Sequence, residues 1–161
     1  MANSKKPRKK HDKNTNIKRL LGMKFKTLPI EFRVMCQPLD TFFSDVLETG
    51  QVTEINGKAV MDDPFFERAW GIRTSGVGFV DSLAFLVGDQ SLAEKHLRPL
   101  RTMFSEIDSG KDFSAQELQS AYDGWQWTKR LISETRIGDF IAALQKYEEK
   151  NESQQHISGT A

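Results

Sequence analysis

Phe113-Ser114-Ala115-Gln116-Glu117-Leu118 is the stretch on which the reading of the fold turns. Ser114 followed three residues later by Glu117 makes a capping box: the hydroxyl accepts the N–H at the third helical position, and the glutamate reaches back to the cap's own N–H. Phe113 and Leu118 stand where a hydrophobic staple needs them. A helix therefore starts at Ser114. Along it Leu118, Ala121, Tyr122, Trp125, Thr128, Leu131 and Ile132 recur at intervals of three and four, drawing one wide apolar stripe. A stripe of that width has to be covered, and the upstream sequence offers helices to cover it.

Pro38 suits the first turn of a helix whose face is Leu39, Phe42, Phe43, Val46 and Leu47 and whose end is Gly50. Residues 28–34, interrupted by Pro29, read as extended. Residues 51–55 and 58–61 flank Asn56-Gly57, a pair that tolerates the positive φ angles of a type I′ turn, so a short β-hairpin is expected there. Asp62-Asp63-Pro64 ends it, and Phe65, Phe66, Ala69, Trp70 and Ile72 suggest a short helix before a loop at Gly76 and Gly78. Residues 79–87 have the spacing of a buried helix ended by Gly88-Asp89. Ser91 and Glu94 form a second capping box, opening a helix through Leu97, Leu100, Met103, Phe104 and Ile107 that Pro99 should kink or divide. Gly138 is a break before a last helix carrying Phe140, Ile141, Leu144 and Tyr147.

The expectation is a mainly α fold: one helical domain of five or six helices over residues 27–147, with a single short hairpin near 51–61. A disordered basic arm (1–26) precedes it and a polar flexible tail (148–161) follows. At 161 residues, 38% of them hydrophobic, the chain is long enough to bury a core of its own. It has neither an apolar run of about 20 residues nor an apolar segment behind its basic start, which predicts no membrane span and no secretory signal. Cys36 is the only cysteine, so no internal disulfide can form, and His11, His96 and His156 are too scattered for a zinc site. The expected compartment is the cytoplasm, or the nucleus in a eukaryotic cell.

The net charge of +1 conceals a division. Ten of the 23 Lys and Arg residues, but only Asp12 of the 22 acids, fall in residues 1–26, leaving +9 there and −8 on the rest. Lys5, Lys6, Arg8, Lys9, Lys10, Lys13, Lys18, Arg19, Lys24 and Lys26 are therefore the candidate nucleic-acid contacts. Cations on a flexible segment neutralise phosphates and release counterions from DNA or RNA without reading sequence. The same residues also fit a solubilising tail, a tail for an acidic partner or a nuclear import signal. Trp127, with Lys129 and Arg130 beside it, is the candidate partner-binding platform, against the plainer role of a second packing face. Gly124 would let another helix approach closely, within one body or across a homodimer.

The other motifs point away from chemistry. Gln116, Glu117 and Asp123 would set carboxylates against phosphates if the 114 helix were a recognition helix. A calcium loop from Glu106 to Glu117 would put Gly110 at a ligand position and Lys111 where the turn needs glycine. Residues 74–78 lack the Lys-Ser/Thr of a P-loop and the third glycine of a dinucleotide fingerprint. Asp62, Asp63 and Glu67 fit a helix N-terminus as well as a metal, Cys36 has no evident base, and His96 reads as a boundary residue. No catalytic residue, metal ligand or cofactor is expected.

The order of a Lys/Arg-rich start, Leu47-Glu48-Thr49-Gly50-Gln51-Val52 leading into the Asn56-Gly57 hairpin, and capped helices ending near Ile137-Gly138 resembles small accessory proteins carried by phages and mobile elements of proteobacteria. That resemblance implies a regulator, a replication accessory or an inhibitor of a host defence complex. The expected function is accordingly non-enzymatic: the arm contacts nucleic acid, and the acidic body contacts a protein or a second copy. The competing expectation is an inhibitor or adaptor whose acidic body occupies a basic site on its partner.

Overall fold

The computed structural model describes residues 13–158. Six α-helices and one three-stranded antiparallel sheet follow in the order α1 (Lys13–Leu21), α2 (Pro29–Thr49), β1 (Glu54–Ile55), β2 (Lys58–Asp63), β3 (Arg68–Gly71), α3 (Val77–Leu83), α4 (Gln90–Glu106), α5 (Ala115–Ser133) and α6 (Ile137–Ser158). A 3-10 turn (Phe25–Thr27) precedes α2, and one turn of π-helix (Ile72–Gly76) leads into α3. None of these helices is long and apolar enough to cross a membrane.

α5 is the spine the capping box announced. Ser114 Oγ accepts the Glu117 N–H at 3.1 Å, Glu117 Oε1 accepts the Ser114 N–H at 3.3 Å, and Phe113 and Leu118 lie half-buried against the core. Its stripe is covered chiefly by α4, and the two helices form the most extensive contact in the molecule. They can approach because of Gly124, where a Cβ would run into the His96 carbonyl. Phe43 of α2 fills the centre. Its ring lies 5.2 Å from Phe42, 5.8 Å from Tyr122 and 6.4 Å from Phe104, all at the tilted or edge-on angles aromatic quadrupoles favour.

Several expectations are corrected. The chain from Pro29 is already helical, with Pro29 at the first turn where its missing N–H costs nothing, so residues 28–34 are not extended and Pro38 lies inside α2 rather than at its start. The buried Pro38 ring supplies core surface that offsets the lost backbone hydrogen bond. Pro99 likewise sits within an undivided α4, whose cap is Asp89, accepting from Ser91 and Leu92 N–H, instead of Ser91. Gly50 does cap α2 in the left-handed conformation, at φ 70°.

Asn56 and Gly57 adopt φ 54° and 76°, as their turn requires. The hairpin is nevertheless only half of the sheet. Beyond Asp63 the chain turns back and Arg68–Gly71 pairs with β2, so the short helix expected around Phe65–Ile72 is a strand, and the expected glycine loop at 76–78 is helical. Helix α3 is shorter than residues 79–87 suggested, ending at Leu83.

At the termini, residues 1–12 of the arm expected over 1–26 lie outside the described residues, while 13–21 form α1. That helix packs on α6, where Gly138 lets the Leu21 carbonyl approach. The polar tail expected to be flexible from 148 is helical as far as Ser158.

Candidate functional site

Helices α2, α3, α5 and α6 and the inner face of the sheet do not close completely on one another. They leave an open cleft of about 620 Å³. Its walls are aromatic and aliphatic: Trp70, Phe79, Trp125, Phe140 and Leu144 among them, with Met35, Cys36 and Leu39 from α2. Burial, together with Asp40, pushes the Cys36 thiol up to about 12, so it presents a neutral apolar surface at physiological pH. The π turn contributes Thr74, Ser75 and Gly76. Gly76 is required there, since a Cβ would lie 2.7 Å from the Phe104 ring.

The cleft's best-organised polar group is Asp63, a buried carboxylate at the end of β2. Oδ1 accepts the N–H groups of Phe65 (3.1 Å) and Phe66 (3.3 Å), and Oδ2 accepts Trp70 Nε1 at 3.3 Å. The turn is completed by Pro64 and by Glu67 in the left-handed region at φ 50°. What this turn presents is unusual. Phe65 and Phe66 stand about two-thirds exposed, edge to face with ring centroids 4.9 Å apart, and Arg68 stacks over Trp70 at 3.9 Å just behind them. Two large apolar side chains thus stand exposed as a finger on a turn held by a buried carboxylate.

The residues singled out from sequence are distributed differently from the expectation. Lys5, Lys6, Arg8, Lys9 and Lys10 lie outside the described residues, and Lys13 begins α1. Lys18 and Arg19 are exposed on that helix. Lys24 and Lys26 both reach Glu134, at 3.4 and 3.0 Å, in the seam where Phe25 N–H donates to the Thr135 carbonyl and Ile137 N–H to that of Met23. Their hydrogen bonds, Lys26 first, hold the Glu134 carboxyl below the usual carboxylate range.

Trp127, Lys129 and Arg130 do not form one platform. Trp127 is half-buried and stacked on His96, centroids 4.6 Å apart and rings within 6° of parallel. Burial, Lys95 and Arg130 lower the affinity of that imidazole for a proton. Lys129 turns to Asp40 (2.8 Å), which also accepts Trp125 Nε1 at 2.7 Å, and Arg130 alone remains exposed. Trp127 thereby packs α5 against α4 while remaining partly exposed. Between α4 and α5, Lys111 bridges Glu106 and Glu117 at 3.1 and 2.9 Å, while Asp108 accepts the Ala59 N–H at 2.8 Å. Among the described residues no group of three His, Cys, Asp or Glu side chains is arranged to hold a metal ion.

Sequence reasoning missed the cleft and the Phe65–Phe66 finger, and read Asp63 as a helix N-terminus or metal candidate where it is the acceptor of a β-turn. The available signal was Asp63-Pro64, an Asx-turn pair that starts a reversal as readily as a helix. No family model, curated protein or solved structure matches this chain.

Proposed function

We propose that this chain is a non-enzymatic accessory protein whose basic N-terminal segment holds nucleic-acid phosphates while the acidic helical body engages a protein, as in small phage or mobile-element regulators. The observation that carries the reading is the separation of charge, +9 over residues 1–26 and −8 over the rest. A body of that sign is repelled by phosphate, so contact falls to the segment at its edge. Lys18 and Arg19, exposed on α1 and in no ion pair among the described residues, extend that segment onto the folded surface. Lys24 and Lys26 belong to the Glu134 seam and are assigned to the body.

The test is fluorescence anisotropy of labelled single- and double-stranded DNA and RNA across a salt series. The full chain is compared with a full-length variant carrying Lys5, Lys6, Arg8, Lys9 and Lys10 all as Gln. If six phosphates are engaged on duplex DNA, the log–log slope is about −5, and the variant loses most of it. Absence of binding by the unmodified chain overturns the nucleic-acid part of the reading.

The Phe65–Phe66 finger, flanked by Asp62 and Glu67, favours a second reading in which the body alone acts as an inhibitor or adaptor, seating the finger in an apolar recess with a basic rim. That reading requires activity to survive neutralisation of the arm and to fail in a Phe65→Ser, Phe66→Ser variant.

A further inference from the structure

The cleft between α2, α3, α5, α6 and the sheet is open and mostly apolar. Its volume of about 620 Å³ is that of a small-molecule site, and since roughly 150 Å³ holds one benzene ring, a two-ring body with a polar head fits. The walls offer aromatic surface from Trp70, Phe79, Trp125 and Phe140.

Among the described residues only two charged ones line the cleft, Asp63 and Glu148, and both are acidic. Asp63 already accepts three N–H donors from its own turn and Trp70. Glu148 is exposed and has no ion pair among the described residues. Three hydroxyls, on Thr74, Ser75 and Tyr147, line the same space without a hydrogen-bond partner among the described residues, whereas Ser82 is occupied with the Gly78 carbonyl at 2.8 Å. Two of the three belong to the π turn and the third to α6, and such turns concentrate at functional sites.

We propose that the cleft is a binding site for an organic cation with a flat aromatic body, an aryl-alkyl amine in chemical class. The body lies between the aromatic walls. The ammonium sits at the mouth, with Glu148 as counter-charge and the unpartnered hydroxyls as acceptors. Aromatic surroundings and acidic side chains both favour a cation, so a lining that admits an amine disfavours a carboxylate or phosphate.

The test is isothermal titration of the full chain with three ligands of matched shape: 1-naphthylmethylammonium, 1-naphthylmethanol and 1-naphthoate. The ammonium binds about fivefold more tightly than the alcohol, and at least about tenfold more tightly than the carboxylate. Glu148→Gln, a surface change, removes most of the margin between ammonium and alcohol and leaves alcohol binding in place. Thr74→Trp, also at an exposed position, blocks the mouth and weakens all three, with thermal melting used to verify that each variant is folded. No binding of any of the three at millimolar concentration, carboxylate binding equal to that of the ammonium, or an ammonium preference that survives Glu148→Gln each overturns the proposal.

Discussion

Trp70 Nε1 donates to Asp63 Oδ2 at 3.3 Å across the β2–β3 turn, tying a wall of the cleft to the base of the Phe65–Phe66 finger. The same carboxylate holds the Phe65 and Phe66 N–H groups, so one side chain fixes both features. Asp63→Ala leaves the indole N–H and two turn amides without their acceptor. An expected loss of about 1–3 kcal/mol in urea unfolding, with a shift in tryptophan emission, checks this. Asp63→Asn, which keeps one acceptor oxygen, costs less.

The two capped helices separate what a motif suggests from what the chain uses. Ser114→Ala should destabilise by about 1 kcal/mol through loss of the α5 cap. Asp89→Ala should cost a similar amount, because Asp89 caps α4. Ser91→Ala should fall within about 0.5 kcal/mol of zero, as expected for a surface change outside a cap. Equal effects at Asp89 and Ser91 would contradict the assigned cap.

Gly124 sets the distance between α4 and α5. A methyl group there collides with the His96 carbonyl, which is backbone and cannot swing away, so Gly124→Ala is expected to cost about 1–3 kcal/mol by denaturant unfolding. At Gly88 a Cβ meets nothing within 4 Å, and Gly88→Ala is expected to be neutral or to stabilise by up to about 1 kcal/mol through the unfolded chain.

The Glu134 seam gives a pH dependence of known sign. Its carboxyl is held low in the folded state, so the contribution is present above the unfolded value near 4.5 and is lost as pH falls through the folded one. Glu134→Gln should therefore lower the melting temperature at pH 7 relative to the native chain. The difference should shrink below about pH 4.5 and with added salt, since the pairs are exposed. A difference that grows on acidification would contradict the assignment.

Cys36 reports on the integrity of the cleft. Buried and with its thiol raised to about 12, it should resist iodoacetamide at pH 8 in the folded protein and react on unfolding. Labelling of Asp63→Ala faster than of native protein would register opening of the cleft wall.

The helical body was legible where a short-range rule sufficed. Ser114 and Glu117 satisfy each other's backbone N–H within one turn, Asn56-Gly57 carries its own turn, and Gly50 its own left-handed cap, so these features follow from neighbours in sequence alone. The charge division between residues 1–26 and the rest was equally local. Tertiary structure decided the rest, because the groups concerned find their partners far along the chain or in a competing local conformation. Pro38 and Pro99 stay inside helices because packing on neighbouring elements outweighs a lost hydrogen bond. Phe65–Ile72 has helical spacing but reverses into a strand, because Asp63 satisfies the turn amides and the Trp70 indole together. Lys24, Lys26 and Lys129 looked like free cations until Glu134 and Asp40, about a hundred residues distant, were folded against them. The cleft belongs wholly to this second class: its walls come from α2, the sheet, the π turn, α3, α5 and α6, and no local pattern encodes the gap left where six segments meet.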